Sequence, residues 1–79
     1  MATLKSTDAW MIKIYPDDHP PPHFHVQTAD GESLVDIATL EVSHRGANRR
    51  ALKEALLWSA QQQATLARVW GEQNYRSLA

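Results

Sequence analysis

Seven residues, His19-Pro20-Pro21-Pro22-His23-Phe24-His25, hold three of the four histidines in the 79-residue chain. Imidazole is the commonest metal ligand and the side chain that exchanges protons near neutral pH, with an ordinary pKa of about 6.5. As a metal site, His23 and His25 at i and i+2 project from one side of a strand and can hold a single ion. His19 can swing back across the prolines as a third ligand. Asp17, Asp18, Asp36 or, more remotely, His44 can complete an N/O set for zinc, manganese or iron. As an acid/base site, His19, His23 and His25 with Tyr15 need no metal. A basic set, Arg45, Arg49, Arg50 and Lys53 with Lys13, suits phosphate, because arginine forks match its oxygens. Arg49 and Arg50 fall at a helix start, where free amides already favour anions. Together the two sets describe a ribonuclease-like site.

Plainer readings stand beside these. The proline run can be a stiff loop entering a strand, with its histidines on a solvated face. The same face can bind a protein, with imidazoles and Tyr15 as contacts. The basic set can be a solvated helix face, or a bare nucleic-acid-binding patch whose affinity falls steeply with salt.

The elements that must position these residues follow from the pattern. Trp10 to Tyr15 reads as a strand with Trp10, Ile12 and Ile14 on one face and Met11, Lys13 and Tyr15 on the other. Pro16 to Pro22 cannot continue a paired strand and forms a loop. His23 to Thr28 alternates, with Phe24, Val26 and Thr28 opposite His23, His25 and Gln27. Ala29 to Glu32 is a hairpin turn centred on Asp30-Gly31. Ser33 to Ile37 returns as a third strand, and Leu40 to Ser43 is a short fourth. Residues 1–9 carry little pattern and read as a frayed or edge segment.

From Asn48, a helix N-cap, Leu52, Leu56, Ser59, Gln63, Leu66, Trp70 and Gln73 follow helical spacing. One helix over this span is about 40 Å long at 1.5 Å per residue, against about 30 Å for a domain of this size. The helix therefore overhangs or breaks near Gln62; with no Gly or Pro before Gly71, one long helix is the reading adopted. The expected fold is a single α+β domain over residues 1–79: a three- or four-stranded antiparallel sheet with a C-terminal helix on one face. Phe24 and Val26 then face the helix, and His23 and His25 face away from it with Lys13 and Tyr15.

The charge is asymmetric: residues 1–44 carry Lys5 and Lys13 against seven acids, while 45–79 carry six Lys/Arg against Glu54 and Glu72. The net −1 does not suit a general nucleic-acid binder, though a local basic patch remains. There is no cysteine, which excludes disulfides and thiolate chemistry. No apolar run suggests a signal peptide or membrane span, so a cytoplasmic protein without membrane contact is expected. Trp58 lies off the apolar stripe, so a homodimer or another protein is expected to cover it.

The chain resembles the small bacterial and archaeal proteins of the domain-of-unknown-function family numbered 4160. The resemblance runs through "ATLK", "IKIYPDDHPPPHFHV", "ADGE", "DIATLEV", "GANRRAL" and the tryptophans Trp58 and Trp70. The family's hallmark, Asp-His, a proline pair, then His-Phe-His, stands here at Asp18 to His25. Two positions depart from it. Leu57 replaces the usual Glu before the first tryptophan, removing a surface charge, and Asn48 replaces a frequent proline at the helix start. The resemblance implies the toxin half of a type II toxin–antitoxin pair, neutralised by a small antitoxin of the family numbered 2442. The expected function is thus a toxin; the resemblance carries no target, and RNA is the substrate that the histidine cluster and the basic set suggest. The alternative is a metal-binding or protein-interaction module without catalysis, with zinc or manganese as the ion.

Overall fold

The computed structural model describes residues 1–74. Five strands, β1 (Ala2–Ser6), β2 (Met11–Ile14), β3 (His23–Thr28), β4 (Gly31–Asp36) and β5 (Val42–Arg45), precede two helices, α1 (Arg49–Ala60) and α2 (Gln63–Asn74). The sheet is an antiparallel meander in the order β1-β2-β3-β4-β5. The fold is therefore α+β, as the patterning predicts, with one more strand than expected. That strand is β1, which pairs with β2 from Ala2↔Ile14 to Ser6↔Met11 across a bulge. Its residues are mostly exposed, so the apolar alternation that marks a strand in sequence is weak there.

Alternation on β2 and β3 holds. Ile12, Ile14, Phe24 and Val26 are fully buried, joined by Trp10, Val35, Ile37, Leu52, Leu66 and Trp70. The β3–β4 turn is centred one residue earlier than expected. Thr28 pairs with Gly31, which leaves Ala29 and Asp30 as the loop. Gly31 has φ +143°, and a Cβ on it would stand 2.5 Å from the Gly46 carbonyl oxygen, so both conformation and space require glycine. Beside this contact, the buried Ser33 hydroxyl accepts the Gly46 and Ala47 amides at 3.1 and 3.0 Å. The turn into α1 is thereby anchored to the hairpin.

Asn48 caps α1 as expected: its side-chain oxygen accepts the Ala51 amide at 3.0 Å. The helix does not run on to Gln73. It ends at Ala60, and α2 starts at Gln63, a correction to the single long helix. The Gln61 and Gln62 amides fall back on the Trp58 and Ser59 carbonyls, closing tight three-residue turns. The Gln63 side chain donates to the carbonyls of Ile37 and Ala38 at 2.8 and 3.1 Å. Burial explains the bend: α1 lies over β3 and α2 over β1 and β2. A straight rod would carry Leu66, Val69 and Trp70, all buried here, beyond the sheet. Trp58 also finds its cover inside the chain, tilted against Trp10 at 6.3 Å, so it does not by itself require a partner. No helix among the described residues is long and apolar enough to cross a membrane.

Candidate metal centre

The loop from Tyr15 to Pro22 is held by the last turn of α2. Buried Asn74 accepts the Asp18 amide on Oδ1 at 2.7 Å and donates through Nδ2 to the Tyr15 carbonyl at 3.0 Å and the Trp70 carbonyl at 3.2 Å. One amide side chain therefore joins the helix end to both sides of the turn at Asp17, whose φ is +55°. Asp18 Oδ1 accepts the His19 amide at 3.0 Å. Its Oδ2 is left facing β3.

There the oxygen meets both imidazoles. His23 Nε2 and His25 Nε2 each lie 3.0 Å from Asp18 Oδ2, and the three groups offer ligand atoms all within 4.8 Å of one another. The side chains are 15 % and 12 % exposed for the histidines and 21 % for Asp18. The far side of each ring also meets an acceptor. His23 Nδ1 lies 2.9 Å from the Pro21 carbonyl oxygen, which can only accept, so Nδ1 carries the hydrogen. His25 Nδ1 lies 3.2 Å from Glu32 Oε1, but without hydrogen-bond alignment, and it has no hydrogen-bond partner.

Each ring makes one aligned hydrogen bond, His23 through Nδ1 to Pro21 and His25 through Nε2 to Asp18, and each keeps its second nitrogen 3.0–3.2 Å from a carboxylate oxygen. With the hydrogen of His23 on Nδ1, its Nε2 lone pair stands against Asp18 Oδ2, a contact that a cation among the three inner atoms would relieve. Metal-bound histidines characteristically give their other nitrogen to a carbonyl or carboxylate, as His23 does to Pro21, while the outer nitrogen of His25 lies 3.2 Å from Glu32 without being aligned on it. Zinc ligands at about 2.0–2.1 Å in tetrahedral array stand about 3.3 Å apart, close to the 3.0 Å separations here. Two nitrogens and one oxygen suit zinc, manganese or iron and leave a position for a further ligand.

The electrostatics agree. Burial would raise the Asp18 carboxyl, but the His25 hydrogen bond, the His23 charge, the His19 amide and the His25 charge outweigh it and hold Asp18 below the usual carboxylate value. For Glu32, burial is likewise outweighed by the Gln27 hydrogen bond, by His25 and by the His44 charge, and the net direction is down. Both carboxylates stay ionised beside the rings.

Two aromatic rings fix the imidazoles. Tyr15 meets His25 edge-on at 4.5 Å, and Trp70 packs against His23 at 5.2 Å. His23 therefore does not face wholly away from the helices, as alternation alone implied. It lies at the strand end, where α2 reaches it. The buried Trp70 Nε1 has no hydrogen-bond partner among the described residues. The Tyr15 hydroxyl accepts from Gln27 at 2.8 Å, and Gln27 also donates to Glu32 at 3.0 Å.

The structure thus brings together His23, His25 and Tyr15, with Asp18 where His19 was expected as the third ligand. His19 is exposed and gives the cluster its backbone amide. Beside the cluster, His19, Pro21, His23, Asp36 and Glu41 border a cleft of about 330 Å³. Asp17 is exposed, and Asp36 Oδ1 is occupied by the Ala38 and Thr39 amides. His44 is exposed on β5, beyond Leu34 in the row that contains His25. Lys13 is directly opposite His25. Arg45, Arg49 and Arg50 are not gathered at this cleft; they line a separate groove with Lys53. Sequence reasoning missed Glu32, Trp70 and Asn74. The one-residue slip in the hairpin hid Glu32, which the true register sets opposite Gln27. Asn74, 56 residues from Asp18, carries no local signal.

Comparison with curated proteins and with solved structures gives no match. The family model described as "Domain of unknown function (DUF4160)" matches residues 9–71, a span that takes in Asp18, both cluster histidines, Glu32 and Trp70. That is well over half the chain, and the protein belongs to this family.

Proposed function

We propose that the protein binds one divalent cation through Asp18, His23 and His25, and that this centre is the working part of a toxin held in check by a small antitoxin. The observation that carries the cation is the convergence of both imidazole Nε2 atoms on Asp18 Oδ2 at 3.0 Å, while His23 Nδ1 already gives its hydrogen to the Pro21 carbonyl. A bound ion would relieve the lone-pair contact at His23 while Pro21 orients that ring and Glu32 stands behind His25. Such an ion would supply Lewis-acid polarisation and an activated water, the chemistry of phosphodiester hydrolysis. Tyr15 acts as a positioning residue, packed on His25 with its hydroxyl held by Gln27. The toxin role rests on the hallmark residues and the family membership, and RNA is its proposed target.

Two measurements read the two halves apart. Elemental analysis and zinc titration of untagged protein should show about one ion per chain, lost in the His23→Ala/His25→Ala variant; no retained or titratable ion removes the metal centre. Expression of the chain without a partner should arrest growth, and the same variant should relieve the arrest. Unimpaired growth with wild-type protein sinks the toxin role whatever the metal content.

A further inference from the structure

We propose that the groove along the start of α1 is a docking site for an acidic amphipathic helix of a partner protein. The inference stands on this surface alone and does not depend on the metal centre. The groove has a volume of about 620 Å³ and is lined by Arg45 from the end of β5, Arg49, Arg50 and Lys53 from α1, and the leucines that follow them. All four cations are exposed. Among the described residues none of them forms an ion pair, and the first turn of α1 contains no acidic residue. The helix start adds its own positive end to this field.

The floor is apolar. Leu52 and Leu56 form one i, i+4 row, and Arg49, Lys53 and Leu57 form the next. Leu57 is 65 % exposed; among the described residues the other large hydrophobic side chain so open is Met1. Leu52 is buried beneath the groove, Leu56 is half-buried and Leu57 is open; cations flanking Leu56 and Leu57 describe the complement of a helix with carboxylates at its edge and aliphatic anchors at its centre. From Arg49 to Leu57 the groove spans about 12 Å at 1.5 Å per residue, roughly two turns of such a helix.

The other occupants fit less well. Single-stranded nucleic acid uses aromatic platforms for its bases, and among the described residues no aromatic one lines the groove. A small anion would satisfy the cations and leave the leucines wet. A second copy of this chain brings too little negative charge on its helices, where Glu54 and Glu72 are the acids of α1 and α2.

The test uses the full chain and a fluorescent designed helical peptide with leucines at i, i+3, i+4 and i+7 and glutamates on its other face. Controls are a peptide of the same composition with the leucines scattered, and a short polyuridine oligonucleotide. Saturable binding of the first peptide is expected, at least about tenfold weaker for the scattered one and for Leu57→Glu or Arg49→Glu/Lys53→Glu protein. Both variants change surface positions, and circular dichroism confirms their fold. Equal binding of the two peptides reduces the groove to a charge patch and overturns the proposal, as does no binding. Tighter binding of the oligonucleotide that survives Leu57→Glu makes it a nucleic-acid surface. Self-association abolished by Leu57→Glu, without peptide binding, assigns it to a second copy.

Discussion

At the scale of single residues the cluster separates charge from orientation. Asp18 brings a negative charge to the point where two imidazole nitrogens converge. Glu32 stands behind His25, 3.2 Å from its outer nitrogen, and would act on a bound ion through the ring. The two carboxylates therefore differ in what their removal does. Asp18→Asn keeps the shape of a direct ligand but not its charge, and zinc affinity should fall by more than about 100-fold. Glu32→Gln leaves the three inner atoms in place, and affinity should fall by about 10–100-fold, the usual range for a group that orients a metal-bound histidine. Isothermal titration of untagged variants measures both. Equal effects would mean that Glu32 is itself a ligand.

At the scale of elements, α2 and the proline loop form one unit. Asn74 is 1 % exposed and makes three hydrogen bonds at the join. Asn74→Ala would leave the Asp18 amide and the Tyr15 carbonyl without those partners; both are half-buried, so the cost is about 1 kcal/mol each, the low end for an unsatisfied group. The expected outcome is lowered stability in urea unfolding and, with Asp18 released, zinc affinity about tenfold weaker, although Asn74 offers no ligand atom. Unchanged affinity in a destabilised variant would show that the loop holds Asp18 without the helix. The bend between α1 and α2 belongs to the same scale, because it brings Trp70 against His23.

At the scale of the whole molecule, 79 residues bury a small core, and a bound ion is a large fraction of the stability available. Zinc at 100 times its dissociation constant should add about 2.7 kcal/mol. For a domain of this size that raises Tm by on the order of 10–20 °C, readable by calorimetry of the untagged chain and absent from the His23→Ala/His25→Ala variant. Acid acts in the opposite direction. Asp18 and Glu32 have carboxyl pKa values lower in the folded chain than their ordinary values of 3.8 and 4.5. The unfolded chain therefore binds more protons between the folded and ordinary values, and stability falls with falling pH there. In the metal-free protein this contribution is full above about pH 5 and is lost as pH drops through the depressed folded values. Urea midpoints from pH 6 to pH 3 should show that fall, and a smaller one in Asp18→Asn.

Alternation around Phe24 and Val26 placed the core face and put His23 and His25 together on the other side of β3, while the capping side chain of Asn48 marked the helix start. Each is a local matter, decided by side-chain period or by one side chain reaching its neighbours' amides. The histidines, and Asp18 as one of several acids that could join them, were therefore legible in sequence. What the sequence left open depended on contacts between distant residues. The exposed β1 becomes a strand because β2 offers it an edge. The helix breaks at Gln61 and Gln62 because buried leucine and tryptophan must turn back onto the sheet. Asp18, rather than His19, faces the imidazoles because Asn74 captures its amide from the far end of the chain, and no pattern within a few residues of Asp18 records that bond.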